Sequence, residues 1–423
     1  MGTKQPKVLI LSQLFYPELV STGQTLTELA EELVKQGIQV DVICGQSTQV
    51  DNITRIPTRL KYKKITINRI WSTRLSKLNL LYKMINQLTY TISLIQCLIK
   101  DRSKKVILVF TNPSFAAFVV ALLRKFGGSP YIFTIYDVHP DAAFKMDLIK
   151  KDNILVKLWD YFNRFVFKYS SGVVVLGRCM YEKMISPRKM GSSKINKLHI
   201  INIWSDDRLI KAIPPSKNRL ISEWGLTNKF VVGYSGNFGR FHDLETIMKA
   251  VKGLKDYRQI NFSFIGEGYK KKWCIDYAEK WQLKNCHFHT YVDRKDLALS
   301  HSLMDIGLVS LSLGQEGLSV PSKMYGILAS ETPVIAVMSN NSETSKMIEE
   351  NKCGISVKPG DHEMLIEKIL FIYNNEALKI QMGKNGRKAI DSVYNVRNAS
   401  NKYVQLIKMI SNQDALLINN LNE

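Results

Sequence analysis

A turn that joins a lysine to the start of a predicted helix is the strongest chemical feature of the sequence. In Ser319–Ala336 (SVPSKMYGILASETPVIA), Pro321, Ser322 and Lys323 lead into a short apolar helix, and a buried strand follows. A lysine beside the free N–H groups of a helix start forms a site for an anion. Because ligands of α/β sheets bind at strand ends, the segment predicts a phosphate-bearing ligand. Glu316, a few residues upstream, could face the hydroxyl groups of a sugar. The alternative for Lys323 is an exposed lysine at the end of a helix.

Three glycine-containing turns follow predicted strands and are further candidates for the same ligand. The glycines concerned are Gly23, Gly236, Gly239, Gly266 and Gly268. The first turn, Ser21–Gln24, would let the backbone approach a diphosphate, although it could also be a plain strand-to-helix connection. In the second, YSGNFGRFHD (234–243), Arg240 offers a planar guanidinium that suits phosphate oxygens, with a solvated surface arginine as the alternative. The third could hold a nucleobase or simply close its strand.

The segment IYDVHPD (135–141) carries residues that could transfer protons. Asp137, His139 and Asp141 follow a predicted strand, in a position where catalytic side chains are often found. Histidine can act as an acid or a base near neutral pH, so His139 is a candidate, with a structural role as the alternative.

The common motifs for metal ions and for a P-loop are missing. The chain has no GxxxxGK[ST], HExxH or Asp-x-Asp motif. His287 and His289 would share one face of a strand, but without a third ligand nearby. We therefore expect no metal site.

A repeated alternation of strands and helices would position these candidate residues. Val8–Ser12 is a short apolar strand, apolar residues in Thr25–Gln36 recur at helical spacing, and residues 38–44 alternate as a second strand. Further strands are predicted at Val106–Phe110, Tyr131–Tyr136, Gly172–Leu176, 230–236, 260–266, Cys286–His289, Asp305–Ser310, Pro333–Val337 and Gly354–Val357. Strands that alternate with helices form parallel sheets, so the sequence predicts an α/β fold with two doubly wound Rossmann-like domains.

The domain boundaries follow from a change in composition. The polar stretch Trp204–Asn228, which contains Pro214 and Pro215, separates the two series of strands and is predicted to be a linker. We therefore predict an N-terminal domain over residues 1–205 and a C-terminal domain over 206–390. A helix and tail over 391–423 would follow, with packing back on the N-terminal domain as one option.

The charge of the chain is basic and unevenly distributed. The formal net charge is +22, and residues 1–200 carry 30 Lys and Arg against 13 Asp and Glu. Such a surface attracts anionic lipid or nucleic acid, or is simply a solvated basic surface. No nucleic-acid-binding motif is present, which favours a membrane surface over nucleic acid. The six scattered cysteines and the absence of a signal-peptide pattern lead us to expect the cytoplasm.

Residues 78–99 (LNLLYKMINQLTYTISLIQCLI) form the most apolar segment. Its uncharged part, Met84–Ile99, would span only about 24 Å as a helix, less than the hydrocarbon core of a bilayer. The segment is therefore predicted to be a core helix or a helix lying in the membrane interface, and not a span.

Together these motifs resemble the family-4 glycosyltransferases, which are retaining enzymes with the two-domain GT-B fold. KVLILSQLFYPE, TGQTLTELAEEL, FVVGYSGNFGRFHDLETI, FSFIGEG and VPSKMYGILASETPVIAV occur in the order and at the spacing typical of the family. The likeness covers nearly the whole chain and is closest to a sub-group that builds bacterial surface polysaccharides. It implies two Rossmann-like domains that face one another across a cleft, the first on the acceptor side and the second on the donor side.

The resemblance also implies roles for the candidate residues. Gly23 would approach the donor diphosphate from the first domain, and Glu316 would contact the donor sugar. Asp137 and His139 would lie near the acceptor and the anomeric carbon. From the second domain, Arg240, Ser322 and Lys323 would neutralise the diphosphate. The turn from Gly266 to Gly268 would lie along the nucleotide, and Asn237 would also bind the donor.

The sequence departs from the family pattern at several positions. Gly326 stands where many members have a glutamate that binds ribose, and Met324 follows Glu316 at the spacing of the usual second glutamate. Glu331 replaces a common glycine, and Tyr136 replaces a histidine that often precedes Asp137. The ribose contact is the one most affected.

The resemblance implies transfer of a hexose-type sugar from a UDP- or GDP-linked donor to a glycan or a lipid-linked acceptor, without a metal or further cofactor. The protein would act at the inner face of the membrane in cell-surface polysaccharide synthesis, and would not bind nucleic acid. A nucleotide-sugar epimerase on the same fold and a non-catalytic partner subunit are the alternatives.

Overall fold

The computed structural model describes residues 6–419 except 19–20, 47–56, 74, 76–79, 102, 104, 114, 145–152, 187–188 and 191. The described chain forms two compact α/β units. The first contains the described residues up to 140, 153–202 and 396–419, and the second contains 141–144 and 203–395.

The first unit is built on an eight-stranded sheet. Its strands are β1 (Lys7–Ser12), β2 (Gln39–Cys44), β3 (Arg59–Tyr62), β4 (Ile65–Arg69), β5 (Val106–Phe110), β6 (Tyr131–Ile135), β7 (Gly172–Val175) and β8 (Leu198–Ile200). Their order across the sheet is β3-β4-β2-β1-β5-β6-β7-β8, and only β3 runs antiparallel to its neighbour. The helices of this unit are α1 (Ser21–Lys35), α2 (Leu80–Lys100), α3 (Ala116–Lys125), α5 (Ile154–Tyr169), α6 (Arg178–Met184) and α15 (Val396–Asn419). The chain order reverses on either side of β1, as in doubly wound sheets.

Helix α15 completes the core of the first unit although it follows the second unit in sequence. It packs on α1, and its Tyr403 hydroxyl lies 3.1 Å from Thr134 Oγ1 inside the core. An ion pair between Arg124 and Asp414 (2.7 Å) ties it to α3. Residues 396–419 are therefore structurally part of the first unit.

The second unit is built on a parallel six-stranded sheet. Its strands are β9 (Phe230–Ser235), β10 (Ile260–Ile265), β11 (Cys286–His289), β12 (Ile306–Ser310), β13 (Val334–Val337) and β14 (Gly354–Val357), in the order β11-β10-β9-β12-β13-β14. Its helices are α4 (Asp141–Phe144), α7 (Arg219–Glu223), α8 (Leu244–Gly253), α9 (Lys271–Lys280), α10 (Leu297–Ser302), α11 (Lys323–Ala329), α12 (Glu343–Asn351), α13 (His362–Tyr373) and α14 (Glu376–Ser392). The strand order reverses between β9 and β12, so ligands are expected at the carboxyl ends of these two strands.

The predicted α/β class with two Rossmann-like domains is confirmed, but two local predictions are wrong and one pair of strands was not predicted. Helix α1 begins at Ser21, so Gly23 lies inside its first turn and not in a loop. The predicted linker contains helix α7. The hairpin β3–β4 at the sheet edge was not predicted, because RLKY in β3 is mostly polar and gives no apolar pattern.

Glu331 is held in a backbone conformation that favours glycine. It follows α11 with a φ of 59°, in the left-handed region, while its N–H donates to the Leu328 carbonyl at 3.1 Å. Glycine adopts this conformation without steric strain. We expect Glu331→Gly to raise the free energy of unfolding by about 1 kcal/mol in urea titrations. Glu331→Ala is the matched control, since it removes the carboxylate and keeps the strain. Equal effects of the two substitutions would contradict this explanation.

Candidate functional site

The amino group of Lys323 is held by neutral partners among the described residues. As the first residue of α11, it donates from Nζ to the Tyr234 hydroxyl at 2.6 Å and, more weakly, to the Asn237 carbonyl at 3.4 Å. Nζ also lies 3.8 Å from the centre of the Tyr234 ring. Removal from water lowers the pKa of Lys323 well below its usual value. No acidic side chain in the described part of the chain pairs with it, so this site can accept an anion.

Tyr234 connects Lys323 to His242. The Gly239 N–H donates to His242 Nδ1 at 3.1 Å, so that nitrogen carries no proton. The Tyr234 hydroxyl lies 2.8 Å from the same nitrogen and 2.9 Å from the Asn237 carbonyl, and its single proton can go to either. Burial, followed by the charge of Lys323, lowers the pKa of His242 well below its usual value. The imidazole is therefore neutral, and Lys323 is the group of the cluster that can carry a positive charge.

Tyr234 was missed by the sequence analysis. It stands in the predicted strand FVVGYSG, where a tyrosine is read as a core residue, and its side chain is indeed almost fully buried. The available signal was its position, since it is the next-to-last residue of a strand beside the point where the strand order reverses.

The glycines of the two loops that follow β9 and β10 allow these loops to touch. Gly266 has a φ of 135°, and a Cβ built on it would lie 2.1 Å from the Gly236 carbonyl oxygen. A Cβ on Gly268 would lie 2.5 Å from Asn237 Oδ1. The Phe238 N–H donates to the Glu267 carbonyl at 2.9 Å across the same contact. Gly266 and Gly268 thus fix the loop that carries Asn237; their predicted contact with a nucleotide stays a prediction.

Arg240 is exposed and stacks on Tyr269. Its guanidinium carbon lies 3.3 Å from the centre of the Tyr269 ring. Among the described residues it forms no ion pair, so the guanidinium N–H groups face solvent. The structure places Arg240 on the same loop as Asn237 and His242, as predicted from YSGNFGRFHD.

Glu316 and Ser322 lie on the segment between β12 and α11. Glu316 Oε1 accepts from the Gly314 N–H at 3.2 Å, and its side chain is partly buried. Ser322 is the N-cap residue of α11. The structure therefore brings both residues to the same strand end as Lys323, while their contacts with a donor remain predictions.

The position expected to bind ribose has no room for a side chain. A Cβ built on Gly326 would lie 2.7 Å from Cε1 of His301, a buried histidine on α10. Burial lowers the pKa of His301 to about 4, so its ring is neutral. A glutamate at Gly326 would have to displace this imidazole, which gives a physical reason for the departure from the family pattern.

Asp137 and His139 lie together in the first unit, after β6. The His139 N–H donates to the Asp137 carbonyl at 3.1 Å, and Asn163 Nδ2 donates to the His139 carbonyl at 2.8 Å. Both side chains line a small cavity of about 30 Å³ together with Trp159 and Lys189. Burial raises the pKa of Asp137, and nearby His139 opposes this effect. A carboxyl group of this kind can hold a proton closer to neutral pH than an exposed aspartate.

Gly23 packs closely against the loop before α1. A Cβ built on it would lie 2.9 Å from Cβ of Glu18. Its carbonyl accepts from Thr27 Oγ1 at 2.7 Å. These contacts explain a glycine inside the first turn of α1 without a ligand, so the predicted diphosphate contact remains untested.

Two further features are absent from the described part of the chain. No group of three or more His, Cys, Asp or Glu side chains there could hold a metal ion. In the same part of the chain, every helix is too short or too polar to cross a bilayer.

Two Rossmann-like units, with Lys323 at the strand ends where the order of the second sheet reverses, define a protein of the doubly wound α/β class. Two family models match most of the chain. Residues 22–196 match the description "Glycosyl transferase 4-like domain", and residues 216–389 match "Glycosyl transferases group 1". The chain belongs to the family-4 glycosyltransferases of the GT-B fold, as the resemblance predicted.

Similar proteins agree with this assignment. The probable glycosyltransferase WbjE of Pseudomonas aeruginosa is 30% identical over 272 residues, which cover 62% of this chain and 64% of WbjE. The chain thus spans somewhat less than two thirds of that relative. The putative colanic acid biosynthesis glycosyl transferase WcaI of Escherichia coli is 24% identical over 86% of this chain and 91% of its own length. The structure of Anabaena Alr3699/HepE in complex with UDP and glucose has a TM-score of 0.72, with 13% identity, and covers 96% of this chain and 100% of HepE.

Proposed function

We propose that the protein is a retaining glycosyltransferase that moves a hexose-type sugar from a nucleotide diphosphate donor to a glycan or a lipid-linked acceptor. The observation that carries this proposal is the unpaired Lys323, whose ammonium group is held by Tyr234 at the strand ends of the second sheet. Ligands of doubly wound sheets bind at this point, and a partly desolvated cation there favours a phosphate.

The donor is proposed to be a UDP- or GDP-linked sugar. HepE, which shares the fold, was solved with UDP and glucose. Lys323 and Arg240 would face the diphosphate, Glu316 would face the sugar, and the Gly266–Gly268 turn would lie along the nucleotide. The blocked position at Gly326 means that the ribose is held by other groups than a glutamate there.

The chemical step follows from the charge of the leaving group. Negative charge grows on the diphosphate as the bond to the sugar breaks, and a fixed cation such as Lys323 stabilises it. The sugar becomes oxocarbenium-like in the transition state. Asp137 and His139, in the first unit, are proposed to act on the acceptor side.

Because side chains supply the positive charge, we expect turnover to be independent of added metal and unaffected by EDTA.

The biological setting is proposed to be bacterial surface polysaccharide synthesis. The name of WcaI refers to colanic acid biosynthesis. The excess of basic residues in the first 200 positions suits an enzyme that works peripherally on the anionic, cytoplasmic face of a membrane, where lipid-linked acceptors are found.

A panel of nucleotide sugars tests this proposal. Thermal shift should identify the base and the sugar, because binding stabilises the native state. The anomeric configuration of the product, measured by NMR with the matching donor and acceptor, should equal that of the donor. Inversion would disprove the retaining mechanism, release of a free epimer without acceptor would favour an epimerase, and no binding of any nucleotide would favour a non-catalytic subunit.

A further inference from the structure

Helix α2 is apolar on its exposed side as well as on its buried side, where Tyr90, Leu94 and Leu98 lie in the core. Its exposed side carries large apolar side chains at helical spacing: Leu81, Met84, Leu88, Ile92, Ile95 and Ile99. Leu81 and Ile99 are 60% and 63% exposed. Its buried side includes polar groups, since Asn86 bonds to the backbone of Leu75 at 2.9 and 3.0 Å. Soluble proteins usually expose single apolar side chains, whereas these six form a continuous row along the helix.

The two neighbouring helices extend this apolar surface. Helix α3 packs against both α2 and α5, and Phe118 of α3 contacts Phe162 of α5 with 4.8 Å between ring centres. The exposed apolar side chains on α3 and at its end are Leu122 and Phe126, and those on α5 are Ile154, Leu158 and Tyr161. Ile154, Leu158 and Tyr161 again follow helical spacing. We call the exposed side of α2, α3 and α5 the three-helix face.

The charges on these helices are almost all positive. They contain seven basic residues: Lys83, Lys100, Arg124, Lys125, Lys157, Arg164 and Lys168. Their single acidic residue, Asp160, is buried and lies 3.5 Å from Lys189. Apolar side chains surrounded by Lys and Arg match the boundary between the acyl chains and the anionic headgroups of a bilayer.

We propose that the three-helix face is the surface with which this protein docks on an anionic lipid bilayer, with α2 lying in the plane of the interface. Charge argues against a second copy as the occupant, because a two-fold contact would place two basic surfaces opposite each other. This inference rests on the membrane setting of the proposed function and adds the surface that makes the contact. Because lipid binding is measured without donor or acceptor, its failure is distinguishable from a failure of the proposed sugar transfer.

Co-sedimentation with vesicles tests the inference. The full-length protein should bind vesicles of phosphatidylcholine with phosphatidylglycerol, bind those of phosphatidylcholine alone more weakly, and lose binding to the anionic vesicles as salt rises. Leu88→Gln/Ile92→Gln should lower partitioning to anionic vesicles by about tenfold or more, because two apolar contacts with the acyl region are lost. A triple variant should remove most of the salt-sensitive binding to anionic vesicles. It combines Lys157→Gln, Arg164→Gln and Lys168→Gln.

The matched control is Phe371→Gln/Ile380→Gln in the second unit. Phe371 and Ile380 are 48% and 47% exposed, against 55% and 51% for Leu88 and Ile92. The control should bind vesicles like the wild type, and both double variants should keep the wild-type melting temperature and nucleotide binding. Wild-type protein that ignores anionic vesicles at low salt, or a Leu88→Gln/Ile92→Gln variant that binds them fully, would overturn the proposal. A dimer that this variant converts to monomer, without vesicle binding, would assign the face to a second copy instead.

Discussion

Replacing Lys323 with alanine is expected to lower kcat/KM for sugar transfer by about 10²-fold or more. The substitution removes the amino group that Tyr234 holds at the end of β9, and with it the charge that would stabilise the departing diphosphate. Most of the loss should appear in kcat, because the charge on the leaving group is larger in the transition state than in the bound donor. Initial rates of wild type and Lys323→Ala, measured with the donor identified by thermal shift, would give this change in kcat and kcat/KM.

Two companion variants separate charge from placement. Lys323→Arg keeps a cation but cannot reproduce the 2.6 Å contact of a compact ammonium, so it should retain part of the activity. Because burial lowers the pKa of Lys323, wild-type affinity for the donor should fall as the pH rises through that lowered pKa; the arginine variant should not show this fall.

Tyr234→Phe should lower turnover by about tenfold while keeping the charge. Turnover close to wild type in Lys323→Ala would exclude this residue from the site.

Replacing Gly266 with alanine is expected to lower the free energy of unfolding by about 3 kcal/mol or more. Two independent effects combine at this position. The φ of 135° is rarely adopted by residues with a side chain, and the added Cβ would lie 2.1 Å from the backbone oxygen of Gly236. Since that atom belongs to backbone, the clash cannot be relieved by a rotamer change, and the loop that carries Asn237 must move. Donor binding should weaken together with stability.

Gly360→Ala is the matched control for this prediction. Gly360 lies in the same unit and has a φ of 93°, but no atom lies within 4 Å of the position of an added Cβ. The free energy of unfolding of Gly360→Ala should fall by only about 1 kcal/mol, the cost of placing alanine at a positive φ, and its affinity for the donor should not change. Urea titrations of both variants, with nucleotide binding by calorimetry, would measure the difference. Equal losses in the two variants would show that contact between the loops is not what Gly266 provides.

Strand positions could be predicted because buried parallel strands have a clear signature. Runs such as VILVF in β5 and VIAV in β13 are apolar on both faces and are bounded by turn residues, and β5, β11 and β14 have the predicted bounds. The edge strand β3 has no such run. The start of α1 was placed too late because a glycine in its first turn resembles a loop.

The candidate site was only partly predictable from the sequence. Lys323 and Arg240 could be found because a lysine at a helix start and an arginine in a glycine-rich turn have a local signature. The roles of Tyr234 and His301 depend on contacts between segments that are far apart in sequence: Tyr234 with Lys323, and His301 with Gly326. Such contacts follow from sheet order and helix packing, which one sequence does not specify residue by residue. The same holds for the exposed apolar side of α2, whose composition fitted both a core helix and an interfacial helix.

The return of α15 to the first unit has a consequence for the order in which the protein is made. Tyr403, Ile407 and Ile410 are buried, and a Cβ built on Gly172 in β7 would lie 3.4 Å from Ile410 Cδ1. A ribosome synthesises residues 203–395 before it reaches these side chains, so the second unit can fold while the first still lacks part of its core. During translation, the unit that emerges first is therefore the one that is finished last, and in the interval its unfilled core is open to chaperones and proteases.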